Sequence, residues 1–340
     1  MTQSPGCLSR DEYTVACICP MGVELAAVEA MLDEIHGSLL SSRDQNTYTL
    51  GRMGAHNVVV VVMPEIGTNM AATVATQLLN DFQSLRFGLL VGIGGGVPGE
   101  EGDDEIRLGD VVVSKPTSTF GGVVQFDMGK ATLDGSFQRT GSLTKPSAVL
   151  SANVQRLQAQ AAKMGYQIPR LLSQMQQKYP KMAGKYTHQG TENDDLFEAT
   201  YPHQAGRTCK NCDPKNVVDR ISRPDTEPQI HYGTIGTSNT VIKDSARRDQ
   251  LRKDFGVLCV ETEAAGLMDE FPCLVIRGIC DYADSHKNDR WQSYAAATAA
   301  AYAKELLSII PPQEVVAAPK AEEALQHASE YSKPPIPRSS

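Results

Sequence analysis

From residue 13 onward the chain alternates short apolar runs with stretches whose apolar positions recur every three or four residues. Residues 13–19 are apolar and rich in β-formers, which predicts a buried strand. After a Pro20-Met21-Gly22 loop, Val23, Ala26, Ala27, Ala30 and Met31 fall at helical spacing and predict a helix to about residue 36. Residues 48–52 and 57–63 predict two strands joined by a turn at 53–56, and the second holds five consecutive valines, a pattern suited to a strand covered on both faces. Thr68 opens a predicted helix with Met70, Val74, Leu78 and Phe82 on one side. Residues 87–92 and 108–114 predict further strands. This alternation predicts an α/β protein.

Residues 150–232 break the rhythm. A polar helical stretch over 151–182 is followed by a Pro-, Asn- and Asp-rich region with few apolar residues. We take it as an insertion or cap without an independent core. Alternation resumes with strands at 230–237, 257–260 and 273–279, and helices at 244–254, 263–270 and 291–310. Pro311-Pro312 ends the last helix, and residues 311–340, with six prolines, predict a tail or linker. The expected organisation is one domain over 12–310, built on a mixed β-sheet flanked by helices and interrupted by a helical and loop insertion at about 150–232.

Composition narrows the function classes. The 340 residues are 41% hydrophobic and 21% charged, a balance that supports a packed core. Lys plus Arg is 32 against 40 for Asp plus Glu, a net charge of -8 that argues against a nucleic-acid or anionic-membrane partner. No apolar run nears the roughly 18 residues of a membrane-spanning helix, and residues 1–21 lack the pattern of a secretory signal. Five of the eight cysteines, Cys17, Cys19, Cys259, Cys273 and Cys280, sit in apolar runs and predict small buried side chains in a reducing compartment.

The candidate chemistry lies at strand ends. Gly92, Gly94, Gly95, Gly96 and Gly99 cluster after a predicted strand. Gly94, Gly96 and Gly99 satisfy GxGxxG, but Pro98-Gly99 and the acids after it open no helix, so a dinucleotide fingerprint is rejected. There is no Walker A motif. Two uses of these glycines remain: a tight turn, or close approach of a ligand to the backbone at the carboxyl edge of the sheet. Glu24 falls in the first turn of a helix, where an acid ordinarily serves the helix dipole. Glu263 is followed by Ala264, Ala265 and Gly266, with little bulk around it, and suits either a cap or a cavity. Asp281 directly follows an apolar run, as a cap or a functional acid.

In this order, the Glu24 loop, the glycine cluster at 91–96, Leu108 to Ser114, Val260 to Ala265 and Arg277 to Asp281 resemble the nucleoside phosphorylase and nucleosidase superfamily. Residues 276–303, with Asp281, Asp284, His286, Lys287 and Trp291, are most similar to the branch found at the N-terminus of fungal NLR-like immune proteins. The resemblance covers about residues 12–310 outside the insertion. It implies that Asp281 protonates or hydrogen-bonds purine N7, Glu263 holds the ribose hydroxyls and Glu24 orients the attacking water. It places Val241 and Ile242 at the base, Thr262, Gly94 and Gly95 against the substrate, and Arg277 in the base-side strand. Val241 stands where an aromatic is frequent, Thr262 where Met is usual and Cys280 where Ser is usual. The further expectations are a small-molecule purine nucleoside as partner, a homo-oligomer, a cytoplasmic location, no cofactor and no metal.

Breaking an N-glycosidic bond builds positive charge on the ribose and negative charge on the base, so a carboxylate by the sugar and an acid by the base serve the reaction. To act as that acid, Asp281 must deliver a proton. A phosphorylase would also need basic and hydroxyl groups for phosphate. No Lys or Arg occurs between Asp11 and Ser42, or between Phe87 and Ile106, where Glu100, Glu101, Asp103, Asp104 and Glu105 cluster instead. Related phosphorylases carry Arg and Ser/Thr at the positions of Leu90 and Ile93. Hydrolysis of a purine nucleoside is therefore the expectation; its rivals are a phosphorylase, a nucleotide nucleosidase and a non-catalytic sensing module. The remaining features have plainer readings. Cys209 and Cys212 form a lone CxxC, His188 and His203 show no spacing to further ligands, and His231 is expected to be structural. Trp291 is expected to pack on the sheet, and Phe126 and Asp127 lie on a loop within possible reach of the site.

Overall fold

The first apolar run forms strand β1 (Val15–Cys19), every residue of which is buried. It lies between β4 (His56–Val62) and β5 (Phe87–Gly96), parallel to both, and the valine run of β4 is covered on both faces, with Val58 and Val60 in one core cluster and Val59 and Val61 in the other. The structure, a computed structural model, describes residues 8–37, 45–99, 105–133, 136–268 and 271–324. Around β1 the chain adds α1 (Gly22–Met31), β2 (Glu34–Ile35), β3 (Thr47–Met53), α2 (Thr68–Asp81), β6 (Val111–Ser114), β7 (Val123–Gln125) and the small hairpin β8 (Gly129–Ala131) and β9 (Phe137–Arg139). Then come α3 (Ala148–Met164), α4 (Ile168–Lys178), β10 (Ile230–Thr237), α5 (Ser245–Phe255), β11 (Val257–Glu261), α6 (Ala264–Met268), β12 (Cys273–Asp281), α7 (Gln292–Ile309) and α8 (Pro312–Ala317). The sheet runs β11-β10-β6-β12-β5-β1-β4-β3-β2, mixed in direction, with helices on its faces. A further antiparallel contact between β11 and β5 closes five of these strands into a ring.

The glycine cluster is where the ring closes. The expected strand at 87–92 continues through Gly96, because Gly94 pairs with Ile279 of β12 while Gly95 and Gly96 pair with Val260 and Cys259 of β11. Without side chains, these residues admit strands from two directions. The first helix stops at Met31, short of residue 36, because the Asp33 and His36 amides donate to Arg52 and Leu50 of β3 and draw the chain into β2. The expected strand at 108–114 begins only at Val111, after Gly109 turns with φ +91°.

Helix α7 covers one face with an almost continuous run of buried alanines. Small side chains bring its backbone onto the sheet: a Cβ on Gly278 would lie 1.8 Å from the Ala295 carbonyl oxygen. The expected helical stretch at 151–182 is two helices, broken after Met164 by Gly165 at φ +73°. Their Leu150, Val154, Leu157, Ile168, Leu172 and Met175 enter the same core as α7. The segment between α4 and β10 carries only short 3-10 turns and an isolated Phe197–Val217 bridge. Beyond Pro311, α8 buries Val315, and Ala321 is buried where its amide donates to the Leu85 carbonyl. Residues 325–340 of the expected tail lie outside the described residues.

Candidate active site

At the carboxyl end of β1 the chain turns through Pro20-Met21 into α1, and this turn aims Glu24 inward. Its Oε2 accepts the Met21 amide at 2.6 Å and its Oε1 accepts the Ile93 amide of β5 at 2.7 Å. An acid in a first helical turn usually reaches solvent, but Glu24 is 1% exposed. Burial pushes its carboxyl up to about 8, against the opposing pull of Arg277 and the two amides.

Arg277, fully buried on β12, organises the acids. Its Nη2 donates to Glu263 Oε2 at 2.9 Å and to Glu261 Oε2, and its Nη1 lies 3.9 Å from Glu24 Oε1. A buried charge is costly unless paired; burial lowers this guanidinium's pKa, but the three acids more than offset it and hold it above its usual range. Gly92 makes room for the arrangement, since a Cβ there would lie 2.3 Å from Arg277 Nη1 and 2.5 Å from Glu24 Oε1. Glu261 ends β11 and also accepts the Glu263 and Ala264 amides, so it anchors the start of α6. Its burial, with Glu263 nearby, holds its carboxyl above the ordinary value despite Arg277. Glu263 then projects beside Gly67, whose amide donates to Oε1 at 3.3 Å, and the Thr262 hydroxyl donates to the same oxygen.

Asp281 closes β12. Its Oδ1 accepts the Ala283 amide at 2.9 Å, and its Oδ2 accepts the Cys280 thiol at 3.1 Å and lies 2.9 Å from Lys287 Nζ. Ala283 takes φ +51°, a left-handed conformation costing a non-glycine residue about 1–2 kcal/mol, and this turn brings its amide to the carboxylate. Burial disfavours the Lys287 ammonium, but Asp281 more than offsets that and holds Lys287 above the usual lysine value.

Glu24, Thr262, Glu263 and Asp281 line one cavity of about 340 Å³, together with Gly94, Gly95, Val241 and Ile242. All eight residues singled out in the sequence therefore meet in one place. Gly94 and Gly95 also serve protein packing: a Cβ on Gly95 would lie 2.9 Å from both Ala283 Cβ and Asp281 Oδ1. Val241 stands at the mouth, 44% exposed, while Ile242 is buried. Phe126 packs with Ile242 in a neighbouring apolar cluster, and Asp127 accepts the Asn239 amide at 2.8 Å; neither lines the cavity.

Lys243 and Lys287 also line the cavity, and Glu261 and Arg277 form its floor. Pattern reading missed Lys287 as a partner of Asp281 and Glu261 as an anchor, although both lie in the motifs that carry the resemblance. The other expected structural residues are accounted for. His231 Nε2 meets Asp110 Oδ2 at 3.0 Å, beside the Arg223–Asp110 ion pair, and Trp291 is buried with its Nε1 donating to the Asn193 carbonyl. Of the acids at 100–105 only Glu105 lies within the described residues, close to Arg107.

Residues 14–310 match the phosphorylase superfamily. An NLR-like protein of Hyaloscypha variabilis is 45% identical over 308 residues, 90% of this chain, and the chain spans 30% of that relative's length. A 5'-methylthioadenosine/S-adenosylhomocysteine nucleosidase of Mycobacterium tuberculosis is 24% identical, over 88% of this chain and 97% of its own. Among solved structures, futalosine hydrolase of Helicobacter pylori superimposes with a TM-score of 0.55 at 15% identity, covering 88% of this chain and 99% of its own. A 5'-methylthioadenosine/S-adenosylhomocysteine nucleosidase of S. pneumoniae gives 0.55 at 20% identity, covering 88% and 100%. Ring-closed sheet, flanking helices and motif order agree with the match along most of the chain: it belongs to the phosphorylase superfamily.

Proposed function

We propose that the chain hydrolyses the N-glycosidic bond of purine nucleosides, releasing free base and ribose. The observation that carries this reading is the meeting of Glu24, Glu263 and Asp281, from three separate segments, in one cavity, with Glu24 and Glu263 facing the same buried arginine. Glu24 orients water toward the anomeric carbon and takes up its proton. Glu263 accepts from the ribose hydroxyls and favours the ribosyl cation. Asp281, hydrogen-bonded by Lys287, faces the base and passes it a proton as the C–N bond breaks; water supplies the new C–O bond. The nucleosidases among the relatives and structural neighbours act on bonds of this kind and support the reading.

Water is favoured over phosphate as nucleophile. Leu90 is buried in an apolar cluster, and the Ile93 amide is committed to Glu24, so neither position offers a phosphate ligand beyond backbone. The test is to incubate the purified protein with adenosine, inosine and guanosine, with and without phosphate, and measure free base and sugar product. Base and free ribose in phosphate-free buffer are expected. Base release that requires phosphate and yields ribose 1-phosphate would overturn the assignment.

One observation favours a second reading, cleavage of the same bond in a nucleotide. Lys243 is exposed at the cavity and, among the described residues, has no carboxylate partner, so it is free to meet a phosphate. Equal adenosine and ATP in competition at two salt concentrations separate the readings, because screening weakens contacts to a charged chain and leaves a neutral nucleoside unaffected. Preferential ATP cleavage that falls with salt would select the nucleotide.

A further inference from the structure

The insertion brings together three residues that show no regular spacing as a set. Cys209 and Cys212 flank a single 3-10 turn (Cys209–Asn211), which places both sulfurs on one side, and the Cys212 amide donates to the Cys209 carbonyl at 3.0 Å. The preceding loop folds back, with Asn211 Nδ2 donating to the Ala205 carbonyl at 3.0 Å, and returns His203 to the two cysteines. One ligand atom from each of His203, Cys209 and Cys212 lies within 4.8 Å of the others. Ligands around a tetrahedral zinc ion sit about 3.8 Å apart for sulfur, so closing this set requires movements of roughly 1 Å.

We propose that His203, Cys209 and Cys212 bind one zinc ion that orders the insertion where it packs against the loop that follows β12 and carries Lys287. Two thiolates and an imidazole are a donor set that favours zinc over hard cations. On binding, each thiol gives a proton to solvent and each sulfur donates an electron pair to the metal; no redox step is involved. A nearby group points the same way. His286 is 7% exposed, its ring centroid lies 5.4 Å from that of His203, and its Nε2 has no hydrogen-bond partner among the described residues. A buried, unpaired imidazole nitrogen next to the His203 ring but outside the 4.8 Å set suits a fourth ligand position reached through water.

The surroundings explain what such an ion does. Between α4 and β10 the chain has no helix or strand of its own beyond 3-10 turns and one bridge, and few buried apolar residues. Arg220 and Arg223 pin the later part of this segment through Asp194 and Asp110, and a metal clip at 203–212 holds the stretch before them. The clip sits against the loop after β12: the His203 amide donates to Ser285 Oγ at 3.0 Å, and Cys209 Sγ donates to the His286 carbonyl at 3.7 Å. Cys209 also lines a second cavity, of about 180 Å³, that shares Asp281 and Lys287 with the first.

The test is metal analysis of the full chain purified under reducing conditions without chelator, joined to cobalt substitution. About one zinc per chain is expected. Cobalt(II) exchanged into the wild-type protein should give the intense visible absorption of a tetrahedral site with thiolate ligands. The Cys209→Ser/Cys212→Ser double variant should hold less than a tenth of the wild-type zinc, with its far-ultraviolet circular dichroism retained in the helices outside the insertion. The wild-type cobalt spectrum decides the question even if that variant fails to fold. Wild-type protein with both thiols free that neither contains zinc nor takes up added zinc or cobalt would overturn the proposal. So would a Cys209–Cys212 disulfide in protein kept reduced, or a double variant that keeps its metal.

Discussion

Lys287 Nζ lies 2.9 Å from Asp281 Oδ2, so the acid expected to serve the leaving base shares its outer oxygen with an ammonium. The Cys280 thiol and the Ala283 amide donate to the same carboxylate. In the proposed reaction the base then draws its proton from the Lys287–Asp281 pair and not from an isolated aspartic acid. Asp281→Asn should lower kcat on purine nucleosides by at least roughly 10²-fold, the floor for general acid help. Lys287→Met should lower kcat more than it raises KM and change the alkaline limb of the pH profile. A Lys287→Met enzyme with wild-type kcat and an unchanged profile would remove the lysine from the mechanism.

Glu24 makes the acidic side of the profile predictable. Its carboxyl lies at about 8, chiefly through burial, with Arg277 and Glu263 as the charged groups facing it. In the proposed reaction the ionised form orients water, so kcat/KM should rise with pH through about 8 in the free enzyme. Replacing Glu24 with Gln should remove that rise along with most of the activity. A wild-type profile flat from pH 6 to 9 would contradict the role given to Glu24.

The same shift bears on stability. The folded protein keeps the Glu24 proton up to about pH 8, whereas the unfolded chain releases it near the ordinary 4.5. Between those values the folded state binds the extra proton, so this contribution is full below 4.5 and lost as pH rises through about 8. The Tm of the wild type should fall relative to that of Glu24→Gln across this window. Thermal scans at pH 5 and pH 9 check the sign, and a difference that grows in favour of the wild type at pH 9 would contradict it.

Gly92→Ala tests the arginine cluster without touching a charge. The added methyl would meet Arg277 Nη1 at 2.3 Å and Glu24 Oε1 at 2.5 Å, both held by partners. Overpacking of this kind costs about 1–3 kcal/mol. We expect a fall in Tm and at least a tenfold loss of kcat/KM, read by thermal denaturation and base-release assays. Wild-type values for both would mean that the cluster yields easily.

Glu263→Gln addresses the sugar side. A neutral amide still hydrogen-bonds ribose but no longer opposes a positive charge, so kcat/KM should fall by tenfold or more while the KM for nucleoside changes little. Steady-state kinetics on adenosine and inosine would show the split, and an unchanged kcat/KM would remove the ribose role.

Strand and helix order was legible in the sequence because buried strands such as β4 and helices such as α2 carry undiluted periodicity. The acids at strand ends were legible through motif order. What escaped the pattern depended on distance in space. The glycine run carries no side-chain signal for whether it turns or continues, and only its pairing with β11 and β12 shows that it continues. Gly165 splits α3 from α4 inside a stretch of uniform polar composition. Lys287 sits six residues beyond Asp281, and only the left-handed turn at Ala283 brings the two together. His203 meets the CxxC pair through a loop whose path no periodicity encodes.

Arg277 is one cation facing three carboxylates, from Glu24, Glu261 and Glu263. Lys243 and Lys287 also line the cavity, but Arg277 is the cation that these three acids share. Glu24 and Glu263 thus face the cavity already oriented before any ligand arrives. In the proposed reaction the ribosyl cation is a further positive partner for Glu263, and it exists only while the bond is breaking. A neutral nucleoside carries no such charge and neither does the released sugar, so the electrostatic term favours the fleeting species over what enters or leaves. Inhibitors that place a permanent positive charge where the sugar sits should accordingly bind far more tightly than their uncharged counterparts.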